Sequence, residues 1–386
     1  MPFPLRAAAL AWLALASTPA AAEGGGYFPP PGTWARVSAE DAGFDPARLQ
    51  AAVDFAIAQE TGQPRDLALA IALDFALEPF DAIIGPTAAR GAPTGLVVRR
   101  GYLVASWGDP DRVDMTFSVT KSFLSTVVGL AQARGLVQDL DEPVSARVKI
   151  PEFTGEPNAT VTWDQLLRQT SGWRGTLWGK PDWADRPTGT DRYAWPTLPV
   201  PPPGEAYEYN DVRVNALALA ALHLWKEPLP EVLAREVMRP IGASDAWRWY
   251  GYENSWVDLG GRRVQSVSGG GHWGGGMFID AWDLARFGLL WLNRGQWDGR
   301  QVMPEAWVDY ASTPTPQNTG YGVMNWFVNR DRKLLPSAPA EAVVHLGNGT
   351  NAVYVDPVNE LVVVARWIRR DQLDSFVGRV LESLVR

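Results

Sequence analysis

The chain contains no cysteine, which excludes disulfides, a thiol nucleophile and thiolate metal ligands together. Histidine is almost as scarce. His223, His272 and His345 stand far apart and form no HExxH-type pair, so no zinc site is expected. Positive charge is also short, and a formal net charge of -8 argues against nucleic acid as a partner, because phosphate binding needs a basic surface. No segment after the N-terminus is long and apolar enough to form a membrane helix. No internal repeat is visible, and nothing in the composition points to extended disorder.

What the chain has is ordinary globular material. Its 386 residues allow two compact regions and a sizeable core, with 46% hydrophobic and 20% charged residues. Tryptophan is abundant at 19 copies, and such rings fill cores and line clefts. The first 22 residues read as a secretory signal: Arg6, a short apolar stretch from Ala7 to Ala16, then Ala20, Ala21 and Ala22 before Glu23. The apolar run is too short to span a bilayer. The expectation is a chain cleaved after residue 22 and then secreted or periplasmic.

Residues 23–32 are rich in Gly and Pro and read as a flexible lead-in. Asp45-Pro46 is a helix start, with Asp as N-cap and Pro at the first position; Leu49, Val53, Phe55 and Ile57 supply apolar content. Leu96–Trp107 reads as a hairpin turning at Arg99-Arg100-Gly101. After Phe117 comes an apolar helix pattern that ends near Gly135. The segment from about 140 to 270 is rich in Pro, Trp and short helical stretches, and includes a long Pro- and Trp-rich connection from Trp173 to Pro203. A helix is expected at about 280–293. Strands follow around Tyr321–Val328, Ala342–His345, Ala352–Val355 and Leu361–Trp367, then an amphipathic helix from Asp371 to Val385. Strands at both ends with helices between predict an α/β (α+β) fold. One antiparallel sheet would be built from both termini, about 33–115 and 275–386, and flanked by helices, with a mostly helical region inserted at about 116–274.

The sharpest chemical signal is Ser118-Val119-Thr120-Lys121, an S-x-x-K tetrad opening a helix. A spacing of three puts Ser118 and Lys121 on one helical face. A serine hydroxyl is a weak nucleophile until a base takes its proton, and lysine serves as that base only as the neutral amine. The helix N-terminus favours negative charge developing on an attacked carbonyl. Taken alone, the tetrad also arises by chance.

Its surroundings carry more. Downstream stand Leu166-Leu167-Arg168-Gln169-Thr170-Ser171-Gly172, then Tyr209-Asn210-Asp211 before an apolar helix, then Pro240-Ile241-Gly242. His345-Leu346-Gly347 ends a strand. From about residue 40 to 386, this order resembles the penicillin-recognising serine hydrolases, in particular the class C beta-lactamase-like branch. The resemblance implies a beta-lactamase/transpeptidase-like fold and an acyl-enzyme on Ser118, with Lys121 and Tyr209 as proton-transfer partners. Which of those two takes the first proton stays open. It further implies an oxyanion hole from the backbone N–H groups of Ser118 and Asn348, and a substrate bound by Asp211, His345 and Gly347. It calls for no cofactor and no metal. The substrate would be a small molecule or short peptide, and the oligomeric state is left open.

The second motif departs from the usual Y-x-N. Asp211 stands in the third position, and an ionised carboxylate accepts hydrogen bonds without donating them. The amide that would grip a substrate carbonyl is thus missing, or displaced to Asn210. Asp211 also has a plain reading as N-cap of the following helix. Tyr207, two residues before Tyr209, is a rival for the tyrosine role. His272, in the run Gly269–Gly276, has no following GK[ST] for phosphate and reads as a turn histidine near the cleft. Trp173, Trp178 and Trp183 either wall the cleft or pack their own loop.

Overall fold

A computed structural model describes residues 26–324 and 326–385, so the expected signal segment at 1–22 lies outside the described residues. The Asp45-Pro46 start holds. Asp45 Oδ1 accepts from Arg48 N and opens the helix Pro46–Ala58, which buries Leu49, Ala52, Val53 and Ala56 and leaves Ile57 exposed. Thr94–Arg99 and Tyr102–Trp107 form the expected hairpin around Arg100 and Gly101, both at positive φ.

That hairpin docks on the C-terminal strands. The main sheet has six antiparallel strands in the order Trp326–Val328, Val343–Gly347, Asn351–Asp356, Leu361–Arg366, Thr94–Arg99 and Tyr102–Trp107. Side-chain alternation divides the sheet between two cores. Val97, Val344, Val363 and Ala365 face the helices Pro46–Ala58 and Leu373–Glu382. Leu96, Val98, Val362 and Val364 face the helices Thr120–Ala133 and Ala281–Leu292. Strands covered on both faces explain the unbroken Leu361–Ala365 run, since each fully buried Val or Leu contributes roughly 1.5–3 kcal/mol.

The inserted region is less helical than its composition suggests. Arg248–Leu259 and Arg262–Val267 form a long hairpin through Gly260-Gly261, both at positive φ. With Gly276–Ile279 and Asp114–Met115 it makes a second, four-stranded sheet. Exposure alternates from Arg248 to Gly251 and again from Asn254 to Leu259, either side of a pairing irregularity after Gly251, and the density of Trp and Tyr conceals that period. At the other end, only Trp326–Val328 of the expected 321–328 strand is extended in the sheet. The last helix runs Leu373–Glu382 after a short turn at Arg370–Gln372. Among the described residues no helix is long and apolar enough to cross a membrane.

The Ser118 helix lies between the two sheets. A short 3-10 turn, Phe117–Val119, leads into Thr120–Ala133, almost all of which is buried. Thr116 N donates to Met277 O at 2.9 Å, and Met277 N donates to Thr120 Oγ1 at 2.9 Å, pinning the turn to the second sheet. Arg366 Nη2 donates to the carbonyls of Asp114 and Met115, while its Nη1 reaches Ile279 O, so one buried guanidinium fastens the main sheet to this junction.

Candidate active site

Phe117 takes φ 48, an unusual conformation for a bulky residue, at the start of the turn that sets Ser118 on the wall of a cleft. The cleft, of about 440 Å³, is lined by Ser118, Arg186, Tyr209, Gly347, Asn348 and Arg370, among others. Ser118 Oγ receives Lys121 Nζ at 2.9 Å and Tyr209 Oη at 2.8 Å. Serine, lysine and tyrosine, read from distant parts of the sequence, are therefore in mutual contact. Tyr207 is not in that group. Its ring packs edge-on against Tyr321, and burial pushes its hydroxyl far up in pKa.

Lys121 is 0% exposed, and its ammonium meets Asp211 Oδ1 at 2.5 Å. Burial pulls the lysine pKa down, but the Asp211 carboxylate and the nearby Tyr209 outweigh it, and the net direction is up. Asp211 moves the opposite way. Burial pushes it up, but Lys121 and Arg186 hold it well below the usual carboxylate range. Arg186 Nη1 donates to Asp211 Oδ2 at 2.9 Å and also contacts Asp185. Lys121 Nζ and Arg186 Cζ lie 4.8 and 5.1 Å from the centroid of the Tyr209 ring, so two cations flank the tyrosine.

Two expectations for Asp211 are thereby corrected. The N-cap of Asp211–Trp225 is Asn210, whose side chain accepts from Arg213 N at 3.0 Å. Asp211 is 1% exposed and engaged with two cations, so its carboxylate faces the lysine and not a substrate. Asn210 does not replace the missing amide either, because its Nδ2 donates to Asp182 O within the interior. The placement of His345 is corrected too. Its ring is 0% exposed, packs 3.9 Å from the Trp326 centroid, and pairs Nδ1 with Ser122 Oγ at 2.8 Å. Burial alone pushes its pKa down to about 3, so it is a neutral core residue behind the strand. Trp173, Trp178 and Trp183 are not among the residues lining the Ser118 cleft. Trp173 Nε1, for example, bonds Glu152 O in the interior.

Gly347 and Asn348 do line the cleft. A Cβ on Gly347 would collide with Thr116 O and come within 3.2 Å of Ser118 N, so only glycine lets this strand end approach the nucleophile turn. Asn348 is held by its side chain, which accepts from Gln63 Nε2 at 3.0 Å and donates to Asp74 Oδ2 at 2.6 Å.

Sequence reasoning missed Arg186, Asp185 and Gly270. The two charged residues sit in the Pro- and Trp-rich connection, where no periodic pattern marks them. Gly270 had a visible signal, its place in a glycine run, but not a visible reason. A Cβ there would overlap both Asp211 Oδ1 and Lys121 Nζ. Gly270→Ala is expected to break this buried pair, lowering stability by about 3 kcal/mol or more and removing activity with it. Thermal unfolding alongside a rate assay checks this, and an unchanged melting temperature would show that the pair tolerates displacement.

A sequence model of the beta-lactamase family matches residues 80–373. No curated protein sequence matches the chain. Among solved structures, a putative beta-lactamase from Bacteroides dorei superposes with TM-score 0.59 at 14% identity, covering 89% of this chain and 100% of its own. A putative 6-aminohexanoate-dimer hydrolase from Bacillus anthracis gives TM-score 0.55 at 17% identity, over 76% and 78%. A D-stereospecific amidohydrolase from Streptomyces sp. gives 0.53 at 17% identity, over 88% and 98%. At these identities the likeness concerns the fold.

Proposed function

Because the chain belongs to the beta-lactamase family of serine hydrolases, we propose that it cleaves an amide or ester through an acyl-enzyme on Ser118. The observation that carries this reading is the double contact on Ser118 Oγ, with Lys121 Nζ at 2.9 Å and Tyr209 Oη at 2.8 Å. Asp211 holds Lys121 as an ammonium, which cannot accept a proton, so the base role falls to Tyr209. Lys121 and Arg186 flank the Tyr209 ring, 4.8 and 5.1 Å from its centroid, and keep positive charge beside the oxygen that receives the proton. The phenolate takes the Ser118 proton as Oγ bonds to the substrate carbonyl carbon. The backbone N–H groups of Ser118 and Asn348 would receive the oxyanion. On collapse, the C–N or C–O bond breaks and Tyr209 returns its proton to the leaving group. Water then releases the acid by the reverse sequence.

Asp211 in place of an amide leaves no side-chain donor at that position for a substrate carbonyl, which favours simple esters or linear amides over beta-lactams. Export after removal of residues 1–22 belongs to the same proposal. The test is intact-protein mass after exposure to a fluorophosphonate, with the modified peptide sequenced, followed by p-nitrophenyl esters, nitrocefin and D-alanyl peptides as substrates. One covalent adduct on Ser118 and turnover of an ester or amide are expected. An adduct on another serine, or none with any reagent, would overturn the assignment and leave a binding protein on this scaffold.

A further inference from the structure

Beside Asp211 lies His272, 2% exposed and stacked on Phe75 with ring centroids 3.8 Å apart. Three carboxylates surround this one ring. Nε2 is 2.7 Å from Glu78 Oε2, and Nδ1 is 3.4 Å from Asp211 Oδ2 and 3.6 Å from Asp185 Oδ1. A neutral imidazole donates from one nitrogen and presents a lone pair at the other. Nδ1 is buried without a hydrogen bond, and its near neighbours are Asp185 and Asp211, so either tautomer leaves a lone pair beside a carboxylate: at Glu78, or at Asp185 and Asp211. Only the imidazolium, with both nitrogens protonated, suits both sides of the ring.

Charge counting agrees. Glu78, Asp185 and Asp211 share this cluster with Lys121 and Arg186, and a cationic His272 supplies the third positive charge; burial pushes the Asp185 carboxyl up, against Arg186 and His272, so its ionised form leans on those two cations. Lys180 is the other cation close by. Its ammonium is committed to the carbonyls of Phe80 and Ala82 and stands over the Trp273 ring, and burial pulls its pKa down to about 8, against Asp81 and Glu78.

We propose that His272 is a positioning residue for the Ser118 reaction. As an imidazolium it holds Asp211 against Lys121, and loss of its proton sets the alkaline limit of activity. The inference rests on the hydrolase reading above. When the ring becomes neutral, the cluster is left with one excess negative charge and a lone pair facing Asp211. The Asp211–Lys121 contact then shifts, and the cationic field on Tyr209 weakens. A metal ion held by Glu78, Asp185 and His272 is the rival use of these groups. It is disfavoured because Arg186 already occupies Asp185 and Asp211, and a divalent cation would face that guanidinium.

Burial opposes the charged ring, but Asp185, Asp211 and Glu78 outweigh it and raise its pKa from the ordinary value of 6.5. A raised folded-state value means that His272 contributes stability fully below about pH 6.5, and loses it as pH rises through the folded value. His272→Gln should therefore lower the melting temperature more at pH 6 than at pH 9.

With three histidines in the chain, the decisive measurement is a histidine-¹⁵N long-range NMR titration of the full-length protein, assigned with His272→Gln. Both ring nitrogens of His272 should stay protonated at pH 7, while His345 stays neutral. If His272→Gln does not fold, Glu78→Gln supplies the assignment through the resonances it shifts. Glu78→Gln should also move the alkaline limb of kcat/KM down by about one pH unit. A pyridine-like nitrogen on His272 at pH 7, an unmoved alkaline limb, or stoichiometric Zn²⁺ binding that displaces the His272 resonances would each overturn the proposal. Absence of any Ser118 adduct would instead remove the hydrolase reading, and the NMR result would still report the charge on His272.

Discussion

Ser118→Ala is expected to abolish the covalent adduct and to lower turnover of any substrate by at least ~10³-fold, with the melting temperature shifted by only a few degrees. The substitution removes the oxygen on which Lys121 and Tyr209 converge. Folding should survive, because Lys121 keeps its ion pair with Asp211 and the helix Thr120–Ala133 is packed on all sides by other residues. Intact mass after fluorophosphonate treatment, read beside a thermal melt, separates loss of the nucleophile from loss of the fold. A folded Ser118→Ala protein that still acquires the adduct would show that a different serine reacts.

Lys121→Arg and Tyr209→Phe should each slow single-turnover acylation by ~100-fold or more, whereas Tyr207→Phe should change it by less than about threefold. The reasons differ. At position 121 the site needs a compact cation between Ser118 Oγ and Asp211 Oδ1, with Gly270 lying against it, and a guanidinium is planar and too large. At position 209 the phenol oxygen is the atom that moves the proton, and phenylalanine deletes it while keeping the ring between its two cations. Tyr207 instead has its hydroxyl engaged with the half-buried Asn318. Rates equal for Tyr207→Phe and Tyr209→Phe would mean that the second motif begins two residues earlier. Near-normal acylation by a folded Lys121→Arg protein would make the lysine a structural cation.

Much of the fold was legible because it rests on local periodicity. The Asp45-Pro46 start, the 94–107 hairpin and the apolar run at 361–366 each state their conformation within a few residues. The hairpin at 248–267 was hidden, since its Trp and Tyr residues fit a packed helix as readily as a half-wet strand. In the site, Ser118, Lys121 and Tyr209 were recognisable from residue type and order. The S-x-x-K spacing is a local fact, because three residues along a helix is a fixed distance.

Asp211 and His345 show the boundary of that kind of reasoning. The sequence by itself determined that a serine and a lysine share one helical face, that a tyrosine follows before an apolar helix, and that cysteine and HExxH-type chemistry are excluded. It did not determine which way Asp211 or His345 points. Asn210, one residue earlier, takes the cap and turns Asp211 inward onto Lys121. Strand register places His345 on the side of the sheet packed by Trp291 and Trp326. Only the tertiary structure joined Glu78, Asp185, Arg186, Asp211 and His272 into one charged cluster, because electrostatic coupling depends on distance through a low-dielectric interior and not on separation along the chain.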